Sequence, residues 1–211
     1  MAYDLEEQEQ IAELKSWWRE YGNYVMVGVA ACALSFASLQ GWRFYKQSQA
    51  TGAVILYEQM DQAERAGDRK KVRDIATQIT AKYGATTYAA YAALSAARAA
   101  AEAADLAGAK TQLQWVIDNS KEEEVRDIAR LRLAGVLLDE KNYADALKLA
   151  EAKPVESMAG LYADLRGDIL LAQGKKAEAR GAYQLALDKS EPSSGYRVAI
   201  QLKLDSLGEA R

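Results

Sequence analysis

Charged and apolar positions divide the chain into three patterns. Ile11, Leu14, Trp18 and Tyr21 recur at spacings of 3, 4 and 3, with Glu9, Glu13, Lys15 and Arg19 on the other positions, which predicts a short amphipathic helix. Residues 21–42 then carry no charge. As a helix this run reaches about 33 Å, enough to cross a hydrocarbon layer of about 30 Å. Beyond Ala50 the apolar residues return close to every 3.6 positions among Ala, Leu, Gln, Lys, Arg and Glu, a pattern of helices and not of strands. Breaks are predicted at Ala66-Gly67-Asp68, Tyr83-Gly84, Ala107-Gly108, Asn119-Ser120, Lys141-Asn142, Lys153-Pro154, Gln173-Gly174 and Ser190-Glu191-Pro192. The fold class expected is all-α: a single N-terminal transmembrane helix followed by an α-solenoid of helical hairpins. The domain bounds expected are 1–20 for an N-terminal segment, 21–45 for the span and 46–211 for the helical domain.

Aromatic residues mark both margins of the uncharged run. Trp17, Trp18 and Tyr21 stand at its start, and Trp42 and Tyr45 at its end with Arg43 between them, as expected where amphipathic rings sit at headgroup level. A buried core helix is the alternative, since Asn23, Gly28, Ser35, Ser38 and Gln40 dilute the run. A cleavable signal would open with a basic region, whereas six acidic residues (Asp4, Glu6, Glu7, Glu9, Glu13 and Glu20) stand against Lys15 and Arg19 in the first twenty positions. The segment is therefore read as a retained anchor. Lys15 and Arg19 on one flank balance Arg43 and Lys46 on the other, so charge leaves the orientation open. Gly28, Ala31, Cys32 and Ser35 place small residues a helical turn apart, either to pack on a neighbouring membrane helix or as simple low complexity.

The helical domain repeats. Ala109, Ala146 and Ala179 follow similar polar starts at spacings of 37 and 33, near the 34-residue tetratricopeptide period. Gly167, Leu170, Gly174, Ala179, Tyr183 and Ala186 fit the last unit, while Arg166 takes a usual leucine place and Pro154 shortens the preceding helix. Residues 89–104 contain 11 alanines, which high helix propensity and close interhelical packing explain without a ligand. In such arrays the first helices of successive hairpins line a concave face. On this register Tyr91, Arg98, Glu102, Asp139, Asp164 and Asp168 point to that face, either to hold peptide segments or as an ordinary solvated surface.

Composition narrows the chemistry. The 211 residues include no histidine and one cysteine, Cys32, so Ser-His-Asp triads, His-ligated zinc, cysteine metal cages and internal disulfides are all excluded. Asp164 and Asp168 stand one helical turn apart, but no catalytic constellation surrounds them, and neither an enzyme nor a cofactor is expected. The formal net charge of −3 does not point to nucleic acid.

Three blocks carry a family resemblance. They are Glu9-Gln10-Ile11-Ala12-Glu13-Leu14-Lys15-Ser16-Trp17-Trp18-Arg19-Glu20-Tyr21-Gly22, then Val27-Gly28-Val29 with Gly41-Trp42-Arg43-Phe44-Tyr45, and finally Ala163-Asp164-Leu165-Arg166-Gly167-Asp168 with Gly174-Lys175-Lys176-Ala177-Glu178-Ala179-Arg180. Together they resemble the YfgM family, ancillary subunits of the SecYEG translocon of Gram-negative bacteria. The resemblance implies a cytoplasmic N-terminus, one inner-membrane helix and a periplasmic tetratricopeptide-like domain. It also implies partners: SecYEG, the membrane-anchored periplasmic chaperone PpiD, secreted client polypeptides and membrane lipid. The function expected is a non-catalytic scaffold that helps pass exported chains to chaperones. The alternative is a regulator acting on a cytoplasmic partner through the N-terminal tail.

Overall fold

A computed structural model describes the backbone of residues 2–208 and the side chains of residues 10–208. The side chains of Asp4, Glu6, Glu7 and Glu9 lie outside these described residues. The described helices are α1 (Ala2–Arg65), α2 (Arg69–Tyr83), α3 (Thr87–Glu102), α4 (Leu106–Asn119), α5 (Glu123–Asp139), α6 (Tyr143–Ala150), α7 (Ala159–Ala172), α8 (Lys176–Lys189) and α9 (Tyr196–Ser206), with a 3-10 turn at Glu156–Met158. Contacts divide the chain into two units, Met1–Gln49 and Ala50–Arg211.

In the first unit the amphipathic segment and the uncharged run belong to one helix. Val27, Leu34 and Phe36 are 64, 70 and 66 % exposed. A run of large apolar side chains left this bare is not the core helix of a water-soluble domain. It is long and apolar enough to cross a membrane. Its two serine hydroxyls turn inward on the helix backbone: Ser35 Oγ donates to the Ala31 carbonyl and Ser38 Oγ to that of Leu34, both at 2.8 Å. In hydrocarbon, where no water can accept, that pairing removes the cost of an unmet hydroxyl.

The second unit is built from four hairpins: the end of α1 with α2, α3 with α4, α5 with α6, and α7 with α8. The four connections share one geometry. Gly67, Ala104, Lys141 and Gly174 all take positive φ, at 72, 59, 62 and 79°. The next N–H in each donates back to the carbonyl five residues earlier: Asp68 to Ala63, Asp105 to Ala100, Asn142 to Leu137 and Lys175 to Leu170, at 2.8–2.9 Å. This is a Schellman closure of the first helix, and the following residue starts the second. Asp68 and Asp105 cap it by accepting from the N–H of Lys71 and Gly108.

The turn expected at Ala107-Gly108 is thereby corrected. Gly108 lies inside the first turn of α4, and Ala104 holds the left-handed position although it carries a Cβ. Glycine holds the left-handed position in two of the four hairpins only; the Lys141-Asn142 break falls where expected without one, and the Ala104 turn was placed three residues late. The shared turn also reveals a first repeat that small-residue matching had passed over, because Val72 stands where the later units have Ala109, Ala146 and Ala179.

Alanine at the helix contacts brings the hairpins close. Ala89, Ala92, Ala93, Ala109, Ala129, Ala134, Ala146, Ala179 and Ala186 are fully buried. Larger side chains tie neighbouring core clusters together: Trp115 packs on those around Ile79 and Leu113, Leu137 on those around Leu113 and Ile169, and Leu147 on those around Ile169 and Tyr183. The closest approach is at Gly167, where an added Cβ would lie 2.4 Å from the Tyr183 ring. Tyr183 is fully buried, so its ring cannot swing aside.

Gly167→Ala is therefore expected to destabilise the folded chain by about 1–3 kcal/mol through overpacking. Gly181→Ala, with nothing within 4 Å of its Cβ, is the control, expected to be neutral or slightly stabilising. Thermal unfolding followed by circular dichroism checks both.

Candidate functional site

The six face candidates separate into groups with different fates. Tyr91, Arg98 and Glu102 lie at spacings of 7 and 4 on one face of α3, and all three are exposed. Glu102 accepts from Arg98 Nε at 2.9 Å and from Arg69 Nε at 3.1 Å. Those two hydrogen bonds, ahead of the guanidinium charges, hold its carboxyl below the usual carboxylate value. The α3 face and the last turns of α1 border a cleft of ≈ 280 Å³, lined by Asp61, Glu64, Arg65, Ser95, Arg98 and Glu102 among others. Asp139 is exposed at the end of α5.

Asp164 and Asp168 are committed elsewhere. Asp164 is 4 % exposed and accepts both from Lys203 Nζ, at 2.8 and 2.9 Å, and from the Tyr196 hydroxyl. Asp168 accepts from Lys203 Nζ at 2.7 Å and from the Tyr183 hydroxyl at 2.8 Å. Asp164 therefore offers no free carboxylate to a ligand. The reason is α9, which fastens to α7 across a sequence gap of 39 residues that helical periodicity cannot report. Burial works against the Lys203 charge, but the hydrogen bonds to Asp164 and Asp168 outweigh it and raise the ammonium above its ordinary value. Burial, then the bond to Asp164, likewise raises the Tyr196 phenol. The pair is thus a latch for the last helix, and its chemistry is structural.

A second buried carboxylate went unnoticed in the sequence. Asp127 is fully buried on α5 and accepts from Arg130 at 2.6 Å and from the Val155 N–H at 2.8 Å. The Tyr162 hydroxyl donates to its backbone carbonyl at 2.9 Å. This side chain fixes the extended segment that follows the short α6, satisfying a backbone donor where the helix has ended. Alpha-helix α6 has 8 residues where α4 and α8 have 14. Beside it an open recess of ≈ 740 Å³ lies between α4 and α6, floored by Leu133 and Leu137 and walled by Trp115 and Leu149. Its signal in the sequence was Pro154, which predicted the shortened helix but not the hollow beside it.

In the first unit Trp17 lies 5.9 Å from Tyr21 and 6.5 Å from Trp18, centroid to centroid. The Trp18 indole rests over Gly22, whose added Cβ would meet it at 3.2 Å. At the other margin Trp42 stacks on Tyr45 at 6.3 Å, with Lys46 Nζ 5.4 Å from the Trp42 ring and Arg43 exposed. Both margins carry exposed aromatic groups with polar tips, the arrangement that suits a bilayer interface. Gly28, Ala31, Cys32 and Ser35 form one exposed stripe, and the Ser35 hydroxyl is already spent on its own helix.

Comparison with known proteins agrees with this architecture. The family described as tetratricopeptide repeat-like domain matches residues 15–209. A protein of Neisseria gonorrhoeae named ancillary SecYEG translocon subunit is 31 % identical over 98 % of this chain and 100 % of its own length. Proteins of the same name from Haemophilus influenzae and Escherichia coli are each 30 % identical, covering 98 and 95 % of this chain and 100 and 96 % of their own. Among solved structures, MamA from Desulfovibrio magneticus superposes with a TM-score of 0.55 at 18 % identity, over 74 % of this chain and 86 % of that one. That likeness concerns the fold alone.

The latch makes a pH-dependent prediction. A raised folded pKa means that the stabilisation is fully present below the ordinary lysine value of about 10.4 and is lost as pH rises through the higher folded value. Lys203→Met should cost about 2 kcal/mol at neutral pH, below the full range for breaking a buried pair because Lys203 is partly exposed. The difference between the two proteins should shrink at strongly alkaline pH, as read from chemical unfolding midpoints.

Proposed function

The chain belongs to the family of ancillary SecYEG translocon subunits, the YfgM family, and from that premise we propose that it is a non-catalytic scaffold, held beside the secretion channel by residues 21–45. The N-terminal residues 1–20 face the cytoplasm, and residues 46–211 stand in the periplasm. There the helical array receives segments of secreted chains and passes them to periplasmic chaperones such as PpiD. The observation that carries this reading is the join of a bare apolar helix with aromatic margins to a stack of hairpins in which α3 and α5 keep Tyr91, Arg98 and Asp139 exposed. Tyr91 and Arg98 on α3 fit that use, since their side chains project from a rigid helix and can contact an extended segment. Asp139 is a further exposed contact point. The Gly28, Ala31 and Cys32 stripe suits close packing on a channel helix.

Photo-crosslinking in intact membranes tests the proposal. With a photoreactive residue at Arg98, a secreted chain stalled in the channel should be captured; with one at Cys32, a channel subunit should be. Protease added outside spheroplasts should digest residues beyond the span. Failure of the Arg98 position to capture any translocating chain would overturn the client-binding role, and protection of the large domain would overturn the orientation.

A further inference from the structure

The cleft between α1 and α3 has two chemically different ends. Asp61 and Glu64 of α1 and Ser95, Arg98 and Glu102 of α3 line it; Tyr57 precedes Asp61 by one turn on α1, and Tyr88 and Tyr91 precede Ser95 by one to two turns on α3. At one end Glu102 already has two cationic partners, Arg69 and Arg98. Beyond its other end Tyr57 of α1 meets Tyr88 of α3. The Tyr57 and Tyr88 rings stand 5.6 Å apart with planes tilted by 57°, and Tyr91 follows one turn along α3, 40 % exposed. Burial first, then the charges of Glu64 and Asp61, raise the Tyr57 phenol, so this ring stays neutral beside the carboxylates.

The charges at the aromatic end are not balanced in the same way. Asp61 pairs only with Arg65, at 2.7 Å, in an i,i+4 pair whose side chains are 44 and 79 % exposed, a contact that water and salt weaken. Glu64 has no ion-pair partner among the described residues. An anionic ligand would face these carboxylates, and a wholly apolar one would cover Glu64 without compensation. A cation satisfies both features, because a tyrosine face attracts positive charge and a nearby carboxylate pairs with it.

We propose that this end of the cleft takes a lysine or arginine side chain of an extended polypeptide segment, its cation over the Tyr91 ring and paired with Glu64. The inference rests on the reading that this face receives polypeptide, and it adds which side chain is selected.

The test uses the full-length protein in lipid nanodiscs and a short unstructured, fluorescently labelled peptide with one lysine between two leucines. Matching peptides carry norleucine or glutamate in place of the lysine. By fluorescence anisotropy the lysine peptide should bind about fivefold more tightly than the norleucine one, and the advantage should fall at high ionic strength. Tyr91→Leu and Glu64→Gln should each abolish the preference, and Tyr91→Phe, which keeps the ring, should retain it. Equal binding of the lysine and norleucine peptides, or a preference that survives Tyr91→Leu and Glu64→Gln together, would overturn the cation site while leaving polypeptide binding intact. Absence of binding by every peptide would overturn both.

Discussion

The constraint on which the helical unit depends is the short distance between its helices. Many of the positions where they meet hold only a methyl group or a hydrogen: Ala89, Ala93, Ala134 and Ala179 are fully buried, and Gly167 lies directly against the Tyr183 ring. Small contacts let backbones approach and leave thin apolar layers between hairpins. No single layer is large. Stability comes from side chains such as Trp115, Leu137 and Leu147, each of which belongs to two layers and so makes neighbouring hairpins depend on one another.

That mode of construction also explains where free chemistry remains. Alanine-rich contacts consume the inward positions of α3 and leave one stripe, from Tyr88 to Glu102, to face outward. Since the helix is gripped along its whole buried side, the stripe is rigid, and a ligand meets side chains whose positions are already set. At the C-terminal end the same logic runs the other way. The α7 carboxylates that correspond in position to a binding stripe are covered by α9, and Lys203 between them converts exposed charge into an anchoring contact. A repeat array must end somewhere, and its last open layer needs a cover with matching polar groups.

Much of this was legible beforehand. The apolar helix, the all-helical class, the hairpin lengths and the short helix before Pro154 follow from local properties: absence of charge, 3.6-residue periodicity and a missing backbone N–H. The turns were legible in part. Gly67 and Gly174 announced left-handed residues, while Ala104 and Lys141 adopt the same conformation because the Schellman hydrogen bonds and the packing of the two helices outweigh the steric cost at Cβ. Of the face candidates, Tyr91, Arg98 and Glu102 shared a stripe as their spacing required, but nothing local distinguished exposed Tyr91 from buried Asp164.

Sequence by itself determined what each segment is, because the cost of a charge in hydrocarbon and the period of a helix act on neighbouring residues whatever surrounds them. Tertiary structure decided which polar groups stay available. Asp127 is buried because Val155 and Arg130 reach it, and Asp164 because Lys203 and Tyr196 do, while Glu102 draws both Arg69 and Arg98. Such choices are made among groups brought together only by folding, where the partner that can complete a hydrogen bond at the lowest loss of hydration takes it.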